Sequence, residues 1–181
     1  MTSRSRSIVR WELFGTLFVV LVGSGLHFVF DWTGGWRPVA VIAAVNESIW
    51  EHLKLAFWPG LFWALLPRHA ADPSLPMRLA TRGYSLLFTA AVIVIVFKTY
   101  TAILGRNLLF LDIGTFVLAV LVGQAVSALL EIRNLQNSAF LTIGLALLVM
   151  QIIAYGSFTF HPPDHWLFTD SRNGFQGLPR P

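Results

Sequence analysis

Cysteine is absent from the 181-residue chain, which excludes disulfides, thiolate metal sites, iron–sulfur clusters and cysteine nucleophiles together. Charge is scarce as well: 12% of the residues are Asp, Glu, Lys or Arg, against about 25% in soluble domains, while 55% are apolar. A soluble globular fold would lack half of its usual water-facing charge, so the composition points to lipid around much of the surface. The sequence has no GxGxxG, GxxxxGK[ST] or GxSxG pattern, and therefore no phosphate-cradling loop or nucleophile elbow of those types. The formal net charge of +4 is not gathered into a basic strip with aromatic neighbours, so no nucleic-acid partner is expected. The basic residues flank apolar runs instead, and the partners implied are membrane lipids.

Those runs predict an all-α, polytopic membrane helix bundle of about five transmembrane helices. The first is Leu13 to Phe30, after the basic start Arg4, Arg6 and Arg10. That start resembles the n-region of a signal peptide, but no small-x-small site follows the run, which is read as retained. Pro38 to Val45 is apolar but short, and Asn46, Glu47, Ser48, Glu51, His52 and Lys54 follow together. Ser48-Ile49-Trp50-Glu51 fits a capping box, so a helix is expected from Ile49 to Leu66, with Pro38 to Val45 as a re-entrant or interfacial segment. One continuous helix from Pro38 is the rival reading. The remaining spans are Tyr84 to Leu104, Ile113 to Leu130 and Ala139 to Ser157. This divides the chain into a helix bundle, 1–157, and an extracytoplasmic aromatic and Pro-rich tail, 158–181. The seven tryptophans fall mostly near span ends and are read as interfacial anchors.

The positive-inside rule sets the orientation. Arg4, Arg6, Arg10, Arg68, Arg78, Arg82 and Arg133 fall on one side, against Arg37, Arg106, Arg172 and Arg180 on the other. The N-terminus is expected in the cytoplasm and the C-terminus outside the inner (plasma) membrane. With that threading, Asp31, Glu47, Glu51, Asp112, Asp164 and Asp170 collect at the outer boundary with His27, His52, His161 and His165, leaving only His69 of the histidines inside. His27 and Asp31 share a helical face at i, i+4. Glu47 and Glu51 do so only if the helix includes Glu47, and His52 lies about 100° from Glu51. Lys98, inside the third span, is expected to find a counter-charge in Glu47 or Glu51, with Lys54 as a local alternative for Glu51. His161-Pro162-Pro163-Asp164-His165 brings two imidazoles and a carboxylate together in a stretch whose prolines forbid a helix. Gln124, Ser127, Gln151 and Tyr155 read as interhelical hydrogen-bonding groups.

The stretch Asn46-Glu47-Ser48-Ile49-Trp50-Glu51-His52-Leu53-Lys54 resembles the signature of a family of small bacterial integral membrane proteins of unknown function. In that family a His-bearing first span precedes the signature and a Pro-containing aromatic tail follows the last span, as His27 and Phe160 to Pro163 do here. The resemblance implies membership and topology and carries no activity. A looser likeness is to membrane hydrolases of the alkaline ceramidase and adiponectin receptor type, which set Ser, Asp and His around zinc.

The leading functional expectation is an outer-face polar site acting on a lipid or other amphiphile, in its hydrolytic form with a divalent metal: zinc, iron or manganese. His27, Asp31, His161 and His165 are the candidate ligands. Glu47, Glu51 and His52 are the candidate catalytic groups, with Asn46, Ser48, Lys98 and Asp164 as further polar members of the site. The alternatives are a small transporter or ion-conducting protein using Glu, Lys and His, and a structural subunit without catalysis.

Overall fold

Each expected apolar run forms a helix in the computed structural model, which describes residues 2–67, 73–135 and 137–179. Arg68, His69 and Arg180, used above, lie outside the described residues. The helices are α1 (Ser3–Trp32), α2 (Ile49–Leu65), α3 (Leu75–Leu104), α4 (Leu109–Arg133) and α5 (Ser138–Ser157). Two short 3₁₀ turns, Arg37–Val41 and Trp166–Phe168, complete the described elements. The basic start is the first part of α1, whose N-cap Thr2 accepts a hydrogen bond from the Ser5 amide.

Four helices, α1, α3, α4 and α5, are long and apolar enough to cross a membrane. The expected fifth span, α2, has only 17 residues, or about 26 Å of helix against a hydrocarbon layer of about 30 Å. Its shortness has a cause: the chain before it spends its length on a 3₁₀ turn and an irregular stretch, so the rival continuous helix from Pro38 is not formed. α2 packs against α1 and α3, α4 against α1 and α3, and α5 against α3. The last pair approaches closely because a Cβ on Gly83 would overlap the Gly144 carbonyl, the small-residue device of membrane helices. Gln151 adds a hydrogen bond from its Nε2 to the Gly83 carbonyl oxygen, 2.9 Å.

Non-helical backbone at membrane depth persists only where protein satisfies it. Ala40 and Ala43 are fully buried, and side chains of α2 reach their segment's polar groups. Lys54 Nζ donates to the Ala40 carbonyl at 2.7 Å, and Trp58 Nε1 to that of Val41 at 2.8 Å. The Val45 amide donates to Glu51 Oε2 at 3.1 Å. Lys54 Nζ also meets Glu51 Oε2 at 2.6 Å and the Thr159 hydroxyl at 2.8 Å, and that hydroxyl donates to Glu51 Oε1 at 2.8 Å. One buried ion pair thus ties α2, the irregular segment and the tail together.

The described part of the tail, residues 158–179, packs on the bundle. Phe168 packs on Trp50, and Asn46 Nδ2 donates to the Gly177 carbonyl at 2.8 Å. Not all tryptophans are interfacial anchors: Trp32 and Trp36 are exposed, but Trp50 and Trp63 are buried in the bundle. Trp50 sits against Tyr155, Phe158 and Phe168.

A second buried ion pair lies toward the opposite end of the bundle, near the basic start of α1. Arg82 Nη2 holds both carboxylate oxygens of Glu12 at 3.2 Å, and Arg82 Nη1 donates to Gln124 Oε1. Arg82, Gln124 and Ser85 line a small pocket of about 10 Å³, the lower limit for a single water. Glu12 and Arg82 stand 70 residues apart, so no local spacing announces the pair.

Candidate metal centre

Ser48 decides the geometry. Its hydroxyl caps α2 by accepting from the Glu51 amide, as the capping box predicts, but the glutamate does not reach back. Asn46 Oδ1 takes the Ser48 amide instead, at 2.9 Å, which frees the Glu51 carboxylate for Val45, Lys54 and Thr159. Because the helix starts after Ser48, Glu47 and Glu51 lose the i, i+4 register and diverge. Glu51 enters the core at 1% exposure, with both oxygens engaged. Glu47 turns toward α1 and meets His27.

His27, on α1, and His52, in the first turn of α2, bring their Nε2 atoms to 3.2 Å. Glu47 Oε1 lies 3.7 Å from His27 Nε2, and Glu47 Oε2 lies 3.6 Å from His52 Nε2. Among the described residues this is the one group of three or more His or acidic side chains whose ligand atoms converge closely enough to hold a metal. The Ser48 carbonyl oxygen lies 2.8 Å from His52 Nδ1. A carbonyl only accepts, so Nδ1 carries a proton and Nε2 is the nitrogen turned toward Glu47 and His27, the one a metal would take. A backbone carbonyl behind the distal nitrogen is the usual way a ligating imidazole is oriented.

The two imidazole nitrogens stand 3.2 Å apart, close to the edge of a tetrahedral zinc site, while each Glu47 oxygen lies somewhat farther, 3.6–3.7 Å, from one of them. Zn–N and Zn–O bonds of about 2.0–2.1 Å place tetrahedral ligands about 3.3 Å apart, whereas octahedral ligands at the same bond length would be about 2.9 Å apart. The set is two imidazoles and one carboxylate, hard and borderline donors that suit Zn²⁺, Fe²⁺ or Mn²⁺.

His27 and Glu47 also line a cleft of about 810 Å³, together with Asp31, Asp164, Asp170 and Arg172. Arg172, in the tail, places its Nη2 2.9 Å from Glu47 Oε1. The approach of His27 is the largest influence on the Glu47 carboxyl and, with the charges of His52 and Arg172, holds it below its ordinary value of 4.5 against the opposing effect of burial. A lowered carboxyl pKa stabilises the fold above the ordinary value and loses that contribution as pH falls through the lowered one. In metal-free protein the stability gap between wild type and Glu47→Gln is therefore expected to hold above pH 4.5 and to close below it. Thermal melts of both proteins across that range check this, and a gap that widens on acidification would contradict it.

The other expected site residues are dispersed. Asp31, one turn after His27, lines the cleft but is not in the converging set. His161 and His165 are exposed and outside it as well. The prolines hold that stretch as an irregular surface segment in which His165 Nδ1 accepts from the Leu167 amide. Asp164 accepts a hydrogen bond from Gln176 at the cleft. Lys98 finds neither Glu47 nor Glu51; its ammonium lies over the Trp166 ring, 4.4 Å from the centroid. His52, expected as a catalytic group, joins His27 and Glu47 in the converging set, where the tail histidines were expected. Its partner His27 is 25 residues away, and only their placement at matching ends of α1 and α2 could have paired them.

No curated protein and no solved structure matches the sequence. The model of the family described as a family of unknown function (DUF6512) matches residues 1–178, and the chain belongs to that family.

Proposed function

We propose that this protein is a metal-dependent membrane hydrolase in which His27, His52 and Glu47 hold one divalent cation, with zinc the best fit, at the base of the cleft. One observation carries the reading: two imidazoles and a carboxylate converge closely enough to share one ion, beside a cleft large enough for a substrate. Two His, one Glu and an open fourth position form the donor set of hydrolytic zinc sites. A cation held there would lower the pKa of its bound water towards about 7. Asp31, exposed in the same cleft, is the carboxylate assigned to accept the water's proton, since Glu51 has no free oxygen. The substrate is a lipid or other amphiphile, whose apolar part stays beside the membrane helices while its head enters the cleft. The bundle is assigned to the inner membrane with the N-terminus cytoplasmic, so that the cleft opens outside.

The test is zinc titration of the purified, chelator-stripped full chain, followed by ester and phosphoester amphiphile hydrolysis. One zinc per chain is expected, with turnover only in the loaded form and none in His27→Ala. Failure to take up zinc would overturn the reading.

A further inference from the structure

The cleft beside the proposed metal position is acidic, with Asp31, Asp164 and Asp170 on its walls. Among its described lining residues Arg172 is the only Lys or Arg, and it reaches Glu47, a member of the ligand set. Stability does not explain that placement. The Arg172 side chain is 72% exposed, and an ion pair so open to water contributes little. The backbone beneath it, by contrast, is built. Asp170, buried, accepts from the Arg172 amide through Oδ1 at 2.7 Å. The Gly174 amide donates to the Asp170 carbonyl, and the Asp170 amide to that of Phe175, closing a tight turn. A fixed turn thus carries an exposed guanidinium to the edge of the metal position.

We propose that Arg172 is the anion-recognition residue of this site, and that the group it binds is a phosphate or phosphate ester bridging the guanidinium and the metal. The inference rests on the metal reading above. A guanidinium fork presents paired donors that match two oxygens of such a group, and a cation beside it takes a third. With a divalent ion on His27, His52 and Glu47, Arg172 adds the second positive centre at the cleft floor, while the surrounding aspartates repel an anion from every other part of the wall. A negatively charged head is thereby confined to the one place where the metal can act on it. In the metal-free protein Glu47 occupies the guanidinium; once the carboxylate serves the metal, Arg172 is released to the incoming anion.

The probe is inorganic phosphate, titrated calorimetrically into desalted, zinc-loaded full chain in nanodiscs of phosphatidylcholine. A parallel series adds phosphatidic acid to the disc and separates a membrane-borne phosphate ester from a free one by whether it competes. Wild type is expected to bind phosphate. Arg172→Ala is expected to keep one zinc per chain and to lose phosphate affinity at least tenfold, and Arg172→Lys to fall between them. Two outcomes overturn the proposal: Arg172→Ala binding phosphate as wild type does, or Arg172→Ala losing zinc, which would make Arg172 a positioning residue for Glu47 only. If wild type takes no zinc the metal reading fails by itself. Wild type that takes zinc but binds no phosphate also overturns the anion role while leaving the metal reading standing.

Discussion

Replacing His52 with alanine is expected to lower zinc affinity at least about 100-fold, whereas His161→Ala and His165→Ala should leave it unchanged. Loss of an outer-shell partner alone costs about 10–100-fold in metal affinity, and His52 would be a ligand itself, held ready by the 2.8 Å contact from its Nδ1 to the Ser48 carbonyl. Its side chain is 33% exposed, so the substitution opens no cavity in the bundle and the fold should survive to be measured. Competition titration against a chelating dye reads the affinity. Equal losses in His52→Ala and His161→Ala would place the metal in the tail and contradict the assignment.

Lys54→Met is expected to destabilise the fold by about 3–5 kcal/mol, the cost of leaving a buried charge without its partner. Lys54 is fully buried and Glu51 nearly so. Without the ammonium, the Glu51 carboxylate loses its counter-ion and the Ala40 carbonyl its donor. The irregular segment and the Thr159 region, which that ammonium joins, should loosen together. Glu51→Gln/Lys54→Met removes the orphaned charge while the amide oxygen still accepts from Val45 and the amide NH2 donates to the Thr159 hydroxyl, and is expected to recover much of the loss. Melting temperatures in detergent decide the matter. If the single and double variants melt alike, the pair does not hold this end of the bundle together.

The two experiments separate neighbours that the sequence presents as one cluster. Glu47, Glu51, His52 and Lys54 lie within eight positions, yet Glu47 and His52 border His27 while Glu51 and Lys54 are committed to the core. The dividing line, the Ser48 cap, was legible from residue types alone, and so was the start of α2 at Ile49. The burial of Ala40 and of Ala43 to Val45 against protein followed from the requirement that non-helical backbone be satisfied. What spacing could not supply was pairing across distance. His27 with His52, Glu12 with Arg82 and Lys54 with Thr159 are brought together by helix packing. His161 and His165 drew attention because they are close in sequence, but the prolines between them deny any shared helical face. Lys98, read as needing a carboxylate, lies instead over an aromatic face.

Zinc K-edge X-ray absorption of the loaded full chain in nanodiscs examines the ligand set directly. Nitrogen and oxygen scatterers at about 2.0–2.1 Å are predicted, with outer-shell features of two imidazoles that diminish to one in His52→Ala. An all-oxygen shell without imidazole scattering, or a spectrum unaltered by removing both His27 and His52, would contradict the account.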